Sequence, residues 1–532
     1  MKRAPEESFH VTGAASRSFT GALATPHALA TDAGVQAFRA GGTAIDAAIA
    51  AAAVLTVVYP HNVALGGDLV ALVRSPDGGV VCVNASGWAG QAGDVETLRG
   101  RYGSSLPLRG PDTVTVPGGI RGWESLRTLG TRLSWQTTLS AAADAAAGVP
   151  VPLSLADHIA DPDNHDLYGT ADFDRVFRPG GRALRAGEAL RQTALADTFR
   201  ALQADGPDAF YSGSLAERTV DYLRSRGSQL GVDDFVEFAA ELAEPLEVGF
   251  GGLTVLTSPP NTHGFLLLRA LQALGDQGLV TALGNGFGAL MHVFLRGNHV
   301  RAAALADPRH AAVDVDALIN NYWAEAGPPG GPAPGGDTVG ISAVDSDGYA
   351  ISLIQSVYDA FGSGLIDPET GILFQSRGRS FSLNHLSPNV FAPRKRPLHT
   401  LMPTMTLKHN EVKHVLSTMG GQGQPQIIAQ LLLRALQGSS AEAAVAAPRA
   451  VVGQQLNGVD AETICAEADL DDTARSSLLR SGLAVEWVPP HTEGLGQANV
   501  VFAAPDGGLT AASDPRSDGS AVVVQFARHH GA

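Results

Sequence analysis

The segment GDTVGISAVDSDGYAISLIQSVYDAFGSGLIDPETGILF, Gly336 to Phe374, decides how this chain is read. Thr338 to Val344 alternates small and branched residues, Asp345, Ser346, Asp347 and Gly348 form a turn, and Ala350 to Val357 is a second apolar run, so the spacing predicts a hairpin. Directly before it, AGPPGGPAPGG from Ala326 to Gly336 excludes regular structure and predicts an exposed, loosely held loop. Thr338 therefore opens a strand just after a loose loop. A threonine hydroxyl is a weak nucleophile. The nearest base it can recruit is its own α-amino group, with a reference pKa of about 8, once the chain is cut in front of it. Attack by the Thr338 hydroxyl on the Asp337 carbonyl would make that cut. On these residues alone, Thr338 reads as an ordinary strand-start residue.

Outward from this segment the chain divides unevenly. Thr25 to Arg39 has helical composition and stops at Gly41 and Gly42. Thr43 then caps a second helix, with Asp46 three residues on and alanines on every face, which predicts a buried helix that Pro60 ends. Leu69 to Val73 and Val80 to Asn84 read as a hairpin, and Leu133 to Leu283 is mostly helical, with a strand at Leu253 to Thr257. After Gly371 further strands run through Leu407 and Val415 to Thr418, then a turn at Gly420 and Gly421 and a helix from Pro425 to Leu436. Strands dominate the C-terminal third.

The composition excludes several classes. In 532 residues, 37 Lys and Arg stand against 53 Asp and Glu, a net charge of −16 with no basic stripe, so nucleic acid and anionic membrane are poor partners. Charged residues are 17% of a chain with 62 glycines, against roughly 25% charged and roughly 7% glycine ordinarily, which suits closely packed backbones and many turns. Cys82 and Cys465 can build neither a disulfide framework nor a four-thiolate zinc site. Met1 to His10 lacks a signal-type apolar stretch, and the longest apolar run, Ala44 to Val58, is short of a membrane span and carries Asp46. A soluble, cytoplasmic protein is expected. No GxSxG, HExxH, Walker or CxxC motif is present. The Asp345–Gly348 turn lacks the glutamate of a calcium loop, Asp161 to Asp166 reads as a solvated acidic loop, and His529 and His530 fall in a tail.

Gly336 to Phe374 resembles the start of the small subunit in the gamma-glutamyltransferase family of self-processing N-terminal-nucleophile hydrolases. Further resemblance lies in PHALATDAGVQAFRAGGTAIDAAIAAA from Pro26, YPHNVALGGD from Tyr59, VPGGIRGW from Val116, FYSGSLAE from Phe210, RPLHTLMPT from Arg396 and STMGGQGQPQ from Ser417, in family order across nearly the whole chain. The resemblance implies an α+β fold, an αββα four-layer sandwich with two sheets covered by helices on both outer faces. It implies self-cleavage between Asp337 and Thr338 into a large chain, residues 1–337, and a small chain, residues 338–532, which stay together as a heterodimer whose further assembly is open. Thr338 falls on the family nucleophile, Gly420 and Gly421 on the pair whose N–H groups form the oxyanion hole, and Ser356 on a hydroxyl near the nucleophile. No metal or organic cofactor is required.

The match breaks at substrate recognition. Where the family clamps the α-carboxylate of glutamate with an arginine, SGWAG offers Ser86. Where it holds the α-ammonium with a Gln or Glu and an Asp, this chain has Arg377 and Ser380. The paired serines become His399 and Thr400, and an asparagine becomes Tyr358. Arginine cannot accept an ammonium but pairs a carboxylate in bidentate fashion, so the pocket should prefer an anion there. QSRGRSFSL, RPLHTLMP and MGGQGQPQ are similar to the branch that contains oxamate amidohydrolase. The expected function is cleavage of the amide of a small carboxylate-bearing molecule. The alternatives are a gamma-glutamyltransferase or glutathione hydrolase, a cephalosporin or glutaryl acylase, and a scaffold of the same fold that never cleaves itself. Arg377 as a structural salt bridge and His399 as a satisfied core residue are the plainer readings of those two positions.

Overall fold

The computed structural model describes residues 17–277, 282–322, 336–456, 459–504 and 506–528. Two antiparallel sheets carry the fold. In the first, the strands run Ser520–Arg528, Arg17–Thr25, Asp337–Asp345, Ala350–Tyr358, Asp68–Arg74, Val80–Ala85 and Glu241–Ala243, in that spatial order. In the second they run Leu509–Ser513, Ala498–Ala503, Glu411–Thr418, Thr404–Lys408, Leu253–Thr257 and Leu246–Phe250. Val70, Leu72, Ile354, Met405 and Val415 pack between the two sheets. The outer face of the first sheet, with Val339, Ile341 and Leu353, packs on helices. That of the second packs on Phe265–Gln277, Phe287–Ala304 and Gln424–Leu436. Helix, sheet, sheet, helix is the αββα sandwich, an α+β fold.

The predicted hairpin forms with Ala350 opposite Val344 and Leu353 opposite Ile341. Its turn carboxylate, Asp345, accepts from the N–H groups of Asp347 at 2.9 Å and Tyr349 at 3.1 Å, and from Ala44 at 2.6 Å. The turn is thereby fastened to the start of helix Ala44–Val58. That helix has the capping box expected of Thr43 and Asp46, and every one of its residues is buried. The Asp46 carboxylate also takes the N–H groups of Arg132 and Leu133 at 2.9 and 3.1 Å, which ties down the next loop. Alanine on all sides lets neighbouring helices Ala28–Arg39 and Trp135–Ala147 approach closely.

Two expectations change. Thr25 to Arg39 is not one helix: a strand ends at Thr25, and the helix begins at Ala28, where His27 Nδ1 accepts from the Leu29 N–H at 3.2 Å. Pro26 separates the two. Residues 372–403 hold a 3-10 turn at Arg377–Ser380 and isolated bridges rather than strands. Their backbone bonds go to loops around the site, as in Gln375 N to Gly66 O at 3.1 Å and His399 N to Asn261 O at 2.9 Å. Residues 326–335 of the Pro/Gly loop, Met1 to His10, His529 and His530 lie outside the described residues.

Candidate active site

Three neighbouring strands of the first sheet each bring one polar side chain to the same end. Thr338 lies on Asp337–Asp345, Ser356 on Ala350–Tyr358, and Asp68 stands directly opposite Ser356 on the next strand. A bulge between Gln355 and Tyr358 interrupts the ladder and turns Ser356 toward Thr338. The close packing needs glycine: a Cβ on Gly67 would collide with the Ser356 carbonyl.

The Thr338 hydroxyl donates to Ser356 Oγ at 3.2 Å, and Ser356 Oγ donates to the Asp337 carbonyl at 2.6 Å. The Tyr358 N–H fixes the same Ser356 oxygen at 2.8 Å. Tyr358 holds a left-handed backbone at φ 85° to do so, a strained conformation for a bulky residue. The Ser356 hydroxyl thus bridges the Thr338 hydroxyl and the Asp337 carbonyl, so that a proton passed from Thr338 to Ser356 Oγ would send the Ser356 proton on to that carbonyl oxygen. The Asn62 amide donates to the Thr338 carbonyl at 3.4 Å.

Arg377 is fully buried beside this pair. Its Nη2 reaches Ser356 Oγ at 3.4 Å and its Nη1 reaches Thr400 Oγ1 at 3.3 Å, and it lies 4.1 Å over the Tyr358 ring. Burial lowers its pKa to about 10, so it stays charged near neutral pH. Its Nε has no hydrogen-bond partner and stands 4.0 Å from Asp68 Oδ2. Of five N–H groups, two meet neutral hydroxyls at long range. Asp68 accepts from the Gln375 amide at 3.0 Å and the Gly87 N–H at 2.9 Å on Oδ1, and from His399 Nε2 at 3.0 Å on Oδ2. His399 Nδ1 accepts from the Leu401 N–H at 3.3 Å, which assigns the ring proton to Nε2. Burial, reinforced by the Arg377 charge, pushes the His399 pKa down to about 4, so the ring is neutral.

The glycine pair follows strand Glu411–Thr418 of the second sheet. Gly420 has φ 136° and Gly421 φ 48°, and a Cβ on Gly420 would lie 2.5 Å from Ile427. Among the described residues, neither glycine N–H donates to a protein carbonyl. Ser342 Oγ and Ser417 Oγ, 3.0 Å apart, tie the two sheets together beside this end.

On the side of Asp337 that precedes the strand lies a cluster of ionisable groups. His158 Nε2 is 4.0 Å from the Asp337 carboxylate, and His61 stacks on His158 at 4.2 Å. His61, His158 and Glu493 bring ligand atoms within 4.8 Å of one another. Burial pushes the Asp337 carboxyl up to about 7. Burial pulls His158 down, but the Glu493 and Asp337 carboxylates outweigh it and its pKa is raised.

Thr338, Ser356, Tyr358, Arg377, His399 and Thr400 are therefore one buried cluster, none of them more than 1% exposed. Two residues stand apart in their bonding. Ser86 Oγ donates to Asn84 Oδ1 at 2.7 Å, within a group that includes Asn261, and Ser380 Oγ donates to the Arg377 carbonyl at 2.9 Å, holding that turn. Asp68, Arg301 and His263 were not singled out from the sequence. Asp68 ends the quoted YPHNVALGGD, but its side-chain partners Gln375 and His399 lie more than 300 positions away in the chain.

The family described as Gamma-glutamyltranspeptidase matches residues 30–524. The chain is 35% identical over 520 residues to the glutathione hydrolase-like YwrD proenzyme of Bacillus subtilis, covering 94% of this chain and 98% of the relative. It is 34% identical over 521 residues to the oxamate amidohydrolase proenzyme of Klebsiella pneumoniae, with the same coverage. Among solved structures, a cephalosporin acylase from Bacillus halodurans superposes with a TM-score of 0.86 at 29% identity, covering 98% of this chain and 99% of the other.

Proposed function

The chain belongs to the gamma-glutamyltranspeptidase family, whose members are hydrolases and transferases of amide bonds, and from that premise we propose that it is a self-cleaving amidohydrolase with Thr338 as nucleophile. The hydrogen-bond chain from the Thr338 hydroxyl through Ser356 to the Asp337 carbonyl carries this reading. Thr338 Oγ1 attacks the Asp337 carbonyl carbon, the peptide C–N bond breaks, and water hydrolyses the resulting ester. This gives a large chain ending at Asp337 and a small chain beginning at Thr338. The freed α-amine then serves as base, and Gly420 and Gly421 take the oxyanion of each tetrahedral state in turnover. The two relatives' designation as proenzymes agrees with this processing.

The acyl donor is a small amide bearing a carboxylate next to the scissile carbonyl, oxamate-like. Arg377 and the nucleophile both lie within hydrogen-bond range of one oxygen, Ser356 Oγ. A carboxylate on the Nη edge of Arg377 is thereby held close to the nucleophile, which suits a substrate whose carboxylate lies near the scissile carbonyl. A γ-glutamyl substrate would also need an acceptor for its ammonium, and Asp68, the carboxylate 4.0 Å from Arg377, already accepts from Gln375, Gly87 and His399. The 34% identity to an oxamate amidohydrolase proenzyme supports the same choice. No described helix is long and apolar enough to cross a membrane.

Two measurements test the proposal. A denaturing gel should show two chains that meet at residue 338, and a single band in active material would refute self-cleavage. Ammonia release from oxamate should exceed p-nitroaniline release from γ-glutamyl-p-nitroanilide. Turnover of the second substrate alone would restore a glutathione-hydrolase reading, and of glutaryl amides alone an acylase reading.

A further inference from the structure

A second buried guanidinium stands behind the glycine pair. Arg301, on helix Phe287–Ala304, is 4% exposed, and its Nη2 donates to Gln422 Oε1 at 3.0 Å. Gln422 follows Gly421 directly in the chain. Arg301 Nη1 and Gln422 Nε2 are buried without a hydrogen-bond partner, and among the described residues no carboxylate pairs with Arg301. His263, whose backbone N–H donates to the His399 carbonyl at 3.0 Å, has both ring nitrogens buried and unpartnered. Burial, with the nearby charges of Arg301 and Arg377, keeps His263 well below its usual pKa. A buried cation without a counter-ion is costly unless a negative charge comes to meet it.

We infer that Arg301 is a positioning and electrostatic residue that acts through Gln422 on the glycine pair, balancing the second negative charge that appears in the tetrahedral state. The reasoning rests on the amidohydrolase reading above and adds to it a division of labour. When Thr338 Oγ1 bonds to the substrate carbonyl carbon, the hydroxyl proton passes to the Thr338 amine and the carbonyl π pair moves onto oxygen. A substrate with one carboxylate then carries two negative charges. Arg377 meets the charge present from the start, and Arg301 the one that develops next to Gly420 and Gly421. In a dry pocket such a fixed charge acts without touching the oxygen. Arg377 should therefore govern KM and Arg301 kcat.

The test is steady-state kinetics of Arg301→Gln, Arg301→Lys and Gln422→Leu, using whichever amide the wild type turns over. Self-cleavage should proceed in all three, because Ser356 and not the glycine pair faces the Asp337 carbonyl. In Arg301→Gln, kcat should fall about 10²-fold with KM within threefold. Arg301→Lys should recover most of that loss, and Gln422→Leu should fall between. Inhibition by phosphonoformate, a tetrahedral and multiply anionic mimic, should weaken at least tenfold in Arg301→Gln, while inhibition by the planar monoanion pyruvate stays unchanged. Equal losses in kcat and KM, or a Lys variant as impaired as the Gln variant, would overturn the inference. A wild type that prefers uncharged amides would overturn the Arg377 reading instead, and the kcat comparison would still decide Arg301. Should Arg301→Gln not fold, Gln422→Leu alone decides: a kcat equal to wild type refutes the proposal.

Discussion

Asp68→Asn keeps the side-chain shape and removes the charge, and the structure gives the expected cost. A unit pair at the 4.0 Å that separates Asp68 from Arg377 Nε interacts by about 4 kcal/mol at an effective dielectric near 20. The asparagine oxygen can still accept from Gln375 and Gly87, but its NH2 then faces the Nε2–H of His399, donor against donor. His399 cannot move its proton to Nδ1 without giving up the Leu401 N–H. Removing one member of a buried pair typically costs about 3–5 kcal/mol. The assay is a double-mutant cycle of Asp68→Asn with Arg377→Met, in a Thr338→Ala background that keeps the chain in one piece, followed by urea unfolding at pH 7. A coupling of about 2–4 kcal/mol between positions 68 and 377 is expected. A coupling below about 0.5 kcal/mol, the level of independent sites, would refute the pairing of Asp68 with Arg377.

Three further outcomes follow from the geometry. Ser356→Ala removes the hydroxyl between the nucleophile and the scissile carbonyl, and should slow self-cleavage about 10²-fold in a gel time course, in line with loss of one oxyanion donor; an unchanged rate would remove Ser356 from the mechanism. Gly420→Ala forces a side chain into φ 136° and against Ile427, and should lower both the thermal midpoint and kcat, whereas a loss confined to stability would deny the N–H a role in turnover. In the uncleaved Thr338→Ala chain, Asp337 binds its proton more tightly folded than unfolded, because burial raises its pKa to about 7. That contribution is present at low pH and is lost as the pH climbs from about 4 through about 7. The melting midpoint should therefore fall across this window, and Asp337→Asn should flatten the fall.

The local signals of this fold were legible because each is written within a few residues. The Thr43 and Asp46 cap, the Asp345–Gly348 turn and the hairpin around it, and the all-alanine helix need no distant information. The Arg17–Thr25 strand was missed because RSFTGALAT is built of small residues that fit a helix as well, and only its pairing with Ser520–Arg528 and Asp337–Asp345 makes it a strand. Residues 372–403 have strand-like composition, yet their backbone groups are taken by the loops around Arg377 and His399. At the site, Arg377, His399 and Thr400 were found as breaks in a family pattern, and the structure gathers them beside Thr338. Asp68, Arg301 and His263 carry no such mark: a buried charge is recognised by what surrounds it, and those neighbours come from elements far apart in the chain.

The order of the first sheet bears on what a cut before Thr338 would leave behind. Strand Arg17–Thr25 is sandwiched between Ser520–Arg528 and Asp337–Asp345, so one product would be laced through the other, and the second sheet joins the two again where Thr404–Lys408 meets Leu253–Thr257. Parting the pieces would mean tearing ladders apart on both sides of a single ribbon. Mixing separately made fragments should accordingly fail to rebuild the enzyme, and dilution should never release one piece from the other.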